Sequence, residues 1–187
     1  MVTDRQAALP SADDVLAYWG ALGPQRWFVK DAAVDADIRD KFLGLHAAAS
    51  DGLLRHWEDD ASGALAYIIV LDQFSRNMFR GSAAAFAVDP LARAVAGRAI
   101  DRGFDRQSAK ELRQFFYMPF MHAEALTDQE RCCALCREAE EFDTLKYAEI
   151  HADIIRRFGR FPHRNAVLGR VTTPEEQAFL DGGGFGG

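Results

Sequence analysis

The chain has 187 residues, 49% hydrophobic and 27% charged, with a net charge of −6. That length fits one domain able to bury on the order of 70% of its unfolded surface, so no disulfide or metal staple is needed. Its longest uninterrupted apolar run, residues 64–71, is far short of the roughly 18 residues of a membrane span, and the acidic balance argues against broad nucleic-acid or anionic-membrane binding.

The first residues, MVTDRQAALPSADD, show no basic stretch followed by an apolar core, so no export signal is expected. Three cysteines then read as reduced thiols in a cytoplasmic protein. Ser11 with Asp14 opens a helix over Val15, Leu16, Tyr18 and Trp19. Ile38, Phe42, Leu45 and Ala49 form a helical stripe, and His46 and His56 are placed on solvated faces. Trp19, Trp27, Phe28 and Trp57 are assigned to the core. Ser62 is set to cap a helix reaching about Phe79. Asp89-Pro90 marks another start, and Gly103 its stop. Ser108 with Glu111, and Thr127 with Glu130, have capping-box spacing; Thr173-Pro174-Glu175-Glu176 combines both start devices. No stretch alternates apolar and polar residues. The expectation is all-α: eight or nine helices in antiparallel neighbours, one domain over residues 1–180, and a mobile glycine-rich tail at residues 181–187.

Three segments carry polar groups in apolar places. In residues 64–80 a helix apolar on every side runs into Gln73, Arg76, Asn77 and Arg80, which share one face. Guanidinium forks and amides there suit either internal carboxylates or a bound anion. In residues 111–124 Pro119 should kink or restart a helix. Arg113, Tyr117, Phe120 and Glu124 share a face there, and His122 with Glu124 could act as an acid/base pair. In residues 147–170 the stripe Tyr147, Ile150, His151, Ile154 and Phe158 puts a histidine among core positions, and Gly159 suits a helix stop. The turn Arg160-Phe161-Pro162-His163-Arg164-Asn165 follows. Residues 151–170 hold five arginines and one acid, a net +4 that leaves −10 for the remainder. One helix end can use one or two of those arginines, and acids to pair the rest are not evident nearby in sequence.

The strings LDQFSRNMFRG, FFYMPFMHAE, IIRRFGRFPHRNAVLGR and TPEEQAFL resemble the bacterial family of domain of unknown function 924. The resemblance runs from Val15 to Phe179 and departs from the family's usual pattern at Ser75 and Ala123. It implies a fold similar to tetratricopeptide-like helical arrays with a concave face, and it implies no activity or catalytic residue.

Cys132, Cys133 and Cys136 sit inside a helix and read as packed thiols rather than a redox or zinc motif. No spacing specifies a metal site, so neither metal nor cofactor is expected. The preferred function is a pocket for a small anionic metabolite, a phosphate or carboxylate. Gln73, Arg76, Asn77, Arg80, Tyr117, Arg160, Arg164 and Asn165 would bind it, and His122, Glu124, His151 or His163 would transfer protons if chemistry occurs. A peptide-binding helical scaffold is the second reading, and a structural protein with internally paired arginines the third. If the three segments form one site, Arg76 or Arg80 must approach Arg160, His163 or Arg164.

Overall fold

A computed structural model describes residues 8–184, and these are all-helical, with 74% in helix and no strand among the described residues. The order is α1 (Ala12–Leu22), α2 (Pro24–Trp27), α3 (Ala32–Ser50), a 3-10 turn (Arg55–Asp59), α4 (Ala61–Ile69), a π segment (Val70–Phe74) and α5 (Ser75–Met78). After a second 3-10 turn (Ala83–Phe86) come α6 (Asp89–Asp101), α7 (Phe104–Gln107), α8 (Lys110–Met121), α9 (Leu126–Glu138), α10 (Phe142–Phe158), a third 3-10 turn (Pro162–Arg164) and α11 (Pro174–Asp181). No helix of the described residues is long and apolar enough to cross a membrane. Residues 1–7, and residues 185–187 of the glycine-rich tail, lie outside the described residues.

The apolar run places α4 at the centre. Residues 64–71 are all buried, and α1, α3, α6 and α8 pack around α4 and the π segment that continues it. Each fully buried leucine, isoleucine or phenylalanine contributes about 1.5–3 kcal/mol, so this axis carries much of the core. An aromatic group closes one side of it: Trp19 stacks on Trp27, and Phe74 and Phe115 meet Trp19 edge-on. Phe28, expected in the core, is 58% exposed. It follows α2, whose single turn spends its inward direction on Trp27. His46, expected on a solvated face, is buried, with Nε2 2.6 Å from Ser75 Oγ. Ser75 Oγ donates in turn to the Leu71 carbonyl, one of the backbone acceptors beside the π turn. At the departure Ser75, serine thus links α3 to the bulged helix.

Two of the capping boxes form as spaced, Ser11 with Asp14 and Thr173 with Glu176. The other two do not. Ser108 Oγ turns back to the Phe104 carbonyl, so α8 starts after Ala109. α9 begins at Leu126, which puts Thr127 inside the helix. Asp60 rather than Ser62 caps α4, accepting from the Gly63 N–H at 2.8 Å. Pro119 lies inside α8, which runs on through it to Met121, so the helix does not restart there. Gly159, at φ 70°, provides the left-handed stop after α10. The α10 stripe is only half core, since His151 and Ile154 are buried while Tyr147 and Ile150 are exposed.

α10 packs along α9, and α9 along α8. A second small core, Ile154, Ile155 and Phe161 with Leu126, Phe158 and Phe179, anchors the segment after α10. The seam between this core and the α4 axis holds the buried charges Asp72, Arg76, Asp89 and Arg164.

Candidate functional site

The π segment sets the site. One extra residue in the turn rotates the helix so that Asp72 and Gln73 both point inward at buried positions. π turns of this kind are frequent at functional sites. Asp72 is 1% exposed and receives three side-chain donors. Gln73 Nε2 donates to Oδ2 at 2.6 Å, and His122 Nδ1 meets Oδ1 at 2.8 Å. Arg76 Nη1 lies 3.1 Å from Oδ1 and also donates to the Asp72 carbonyl at 2.9 Å. Burial alone would raise the Asp72 pKa. The Arg76 guanidinium, with His122 and Gln73, outweighs burial and holds the carboxyl below the usual carboxylate range. Asp72 is therefore ionised, and its bond to His122 requires the imidazole proton on Nδ1.

Arg76 reaches a second acid. Its two terminal nitrogens chelate Asp89 at 3.1 Å each. Burial would lower the Arg76 pKa, but Asp72 and Asp89 together raise it. Arg164 arrives from the other side of Asp89, on the 3-10 turn after α10. Its Nη1 is 3.9 Å from Asp89 Oδ2 and donates to the His122 carbonyl at 3.0 Å. The guanidinium lies 4.5 Å from the Phe86 ring centre and 4.4 Å from that of Phe161. Arg164 is 7% exposed, and its buried Nε has no hydrogen-bond partner among the described residues. Burial first, and then the neighbouring Arg76, pull its pKa down to about 10.

Two further imidazoles border the cluster. The His122 and His151 ring centres are 6.4 Å apart, and His151 Nδ1 contacts the Tyr147 carbonyl at 2.8 Å. His151 and His163 each lie 5.5 Å from the Phe161 ring. Burial lowers both to about 4, with His122 and Arg164 adding to the shift at His151, and Arg164 at His163. Burial and then Arg76 also lower His122, against the pull of Asp72. All three imidazoles are thus neutral at neutral pH.

The first and third segments do converge, through Arg76 and Arg164 on Asp89. Gln73, Arg76, His122, His151, His163 and Arg164 come together; the remaining candidates do not join them. Arg80 chelates Asp35 of α3, from Nε at 2.6 Å and Nη2 at 2.9 Å, and Asn77 donates to the same carboxylate at 2.8 Å. Tyr117 donates to Asp105 of α7 at 2.7 Å. Glu124 accepts from both terminal nitrogens of Arg170, at 2.6 and 2.9 Å, and from the Phe161 N–H. It is a clamp on the arginine-rich turn rather than a partner of His122. Arg160 and Asn165 both donate to Glu176, at 2.6 and 2.8 Å and at 3.1 Å.

The five arginines therefore do meet acids, which come from elsewhere in the chain for all but Arg156. Arg156 pairs with Asp153, Arg157 with Glu175, Arg160 with Glu176, Arg164 with Asp89 and Arg170 with Glu124. Asp72 and Asp89, two residues that organise the cluster, escaped the sequence reading. Asp72 had a signal, a lone acid at the end of a run apolar on every side. Asp89, followed by proline, reads as a helix start.

Two surface hollows of about 320 and 370 Å³ lie elsewhere. One runs along Cys133, Arg137, Glu149 and Arg156, the other along Tyr18, Arg26 and Asp37, and neither includes a residue of the cluster. Cys132, Cys133 and Cys136 are free and buried. Among the described residues no group of three or more His, Cys, Asp or Glu is arranged to hold a metal ion.

Residues 15–184 match the family described as bacterial protein of unknown function (DUF924). No curated protein matches the chain. A solved structure of a protein of unknown function, ATU0120 from Agrobacterium tumefaciens, is similar to it: 47% identical over 91% of this chain and 97% of that one, with a TM-score of 0.88. Since the family match spans nearly the whole sequence, this chain belongs to the bacterial DUF924 family.

Proposed function

We propose that the protein binds a small oxyanion, a phosphate or carboxylate, at the cluster of Arg76, Arg164 and His122. The observation that carries this reading is the state of Arg164. A buried guanidinium ordinarily takes a bidentate carboxylate. Asp89 is already chelated by Arg76, so Arg164 stands 3.9 Å from Asp89 and keeps a buried Nε with no hydrogen-bond partner among the described residues. A positive charge held this way, beside a second arginine, is stabilised by an incoming anion. The partly exposed edge formed by Arg76 and His122, at 20% and 16% side-chain exposure, gives such a ligand a way in.

Thermal shift with phosphate, and separately with a dicarboxylate, tests this. A ligand at 100 times its dissociation constant adds about 2.7 kcal/mol. One of these anions should raise the midpoint of the parent protein and leave Arg164→Met unmoved; the methionine keeps an apolar stem between the two rings. No shift from either anion, or an equal shift in the variant, overturns the reading.

A further inference from the structure

Resting on that anion site, we propose that His122, positioned by Asp72, makes it selective for an oxyanion that keeps an O–H of its own, hydrogen phosphate, over anions that only accept hydrogen bonds, such as sulfate. Asp72 accepts from Gln73, Arg76 and His122 and has no proton to give. The Nδ1 of His122 is therefore the donor of that bond, and Nε2 is left as an acceptor lone pair. Arg76 and Arg164 offer only N–H groups. A ligand that satisfies all three must present negative oxygens to the guanidinium groups and a hydroxyl to the imidazole. Hydrogen phosphate does both. Sulfate turns a lone pair toward a lone pair unless His122 first takes up a proton.

The surroundings resist that protonation. The charged and titratable groups facing His122 are Asp72 and Arg76 on the bulged helix, Asp89 on α6, His151 on α10 and Arg164 on the 3-10 turn. Burial of the ring, with the Arg76 charge beside it, outweighs the pull of Asp72 and Asp89 and favours the neutral form. A phosphomonoester, whose second ionisation falls near pH 6, should behave like phosphate below that value and like sulfate above it.

Calorimetric titration of the parent protein with inorganic phosphate and with sulfate decides this. At pH 8 phosphate should bind about tenfold or more tighter, the cost of setting a ligand lone pair against the His122 Nε2 lone pair once the ligand covers it. At pH 5.5 the ratio should fall toward one, because His122 can then accept a proton with sulfate. In His122→Leu the preference at pH 8 should vanish, phosphate weakening to the affinity of sulfate. Should that variant not fold, the pH dependence of the ratio in the parent protein stands as the test. Equal affinities at pH 8, or tighter sulfate, overturn the selectivity and leave the anion site in place. Binding of neither anion overturns the selectivity, and the anion site with it where the dicarboxylate fails as well.

Discussion

Arg80 and Arg164 lie on two of the arginine-bearing segments and show how differently one side chain can be used. Arg80 is 38% exposed on its side chain and chelates Asp35, which Asn77 also serves. Arg80→Ala should therefore cost only about 1 kcal/mol in chemical denaturation, because solvent screens the pair and Asn77 keeps one hydrogen bond to the acid. It should leave anion binding untouched. A loss of binding in this variant would return Arg80 to the site. The histidines supply a pH signature. His151 and His163 are held neutral down to about pH 4, against about 6.5 in the unfolded chain. Their folded pKa values are lowered, so their contribution is complete above pH 6.5 and is lost as pH falls toward 4. In that window the unfolded chain binds the extra protons. Each group should then remove about 1.4 kcal/mol of stability per pH unit, which urea denaturation between pH 7 and 4.5 would read. His151→Gln and His163→Gln should flatten the slope, and a parent protein equally stable at both ends would contradict the assignment. Residue type identified which side chains needed partners, but it did not identify the partners. An arginine in a buried stripe announces an acid, and nothing local says that the acid is Asp35, Asp89 or Glu176. Those acids sit 45, 13 and 16 residues from the arginines they chelate.

At the scale of elements, helical periodicity and end signals located most of the helices, because 3.6-residue stripes and caps are local devices. What they missed has a common cause: a competing partner took the local residue. Ser108 closes α7 rather than opening α8, and Asp89 holds Arg76 rather than capping α6. The π turn was equally invisible, since nothing in VLDQF distinguishes an i+5 from an i+4 bond. Yet that turn is what aims Asp72 and Gln73 inward together. The start of the same helix makes a sharp prediction. Gly63 is buried in the first turn of α4, and an added Cβ would run into the backbone of Trp57, whose Cα lies 3.1 Å away. Glycine to alanine in a helix usually stabilises by about 1 kcal/mol. Here Gly63→Ala should destabilise by about 1–3 kcal/mol, since the neighbour is backbone that cannot swing aside. Denaturation showing a gain would mean that α4 and the 3-10 turn before it are not packed this closely.

Over the whole molecule, two cores meet at a seam that holds a cluster of buried charge. The larger core surrounds α4 and the smaller one holds the turn after α10. Glu124, Glu176 and their arginines fasten that turn to the end of α8 and to α11. Most of the segment's positive charge is spent on this fastening, which leaves Arg164 as the guanidinium buried at the seam with a distant acid. On the proposed function, Arg164 awaits an anion. Calorimetric titration of inorganic phosphate, and separately of a dicarboxylate, into the parent protein and into Arg164→Met at pH 7 tests this without intermediaries. One of the two should bind once per chain to the parent and not to the variant. No binding of either anion to the parent, or equal binding to both proteins, would rule the site out.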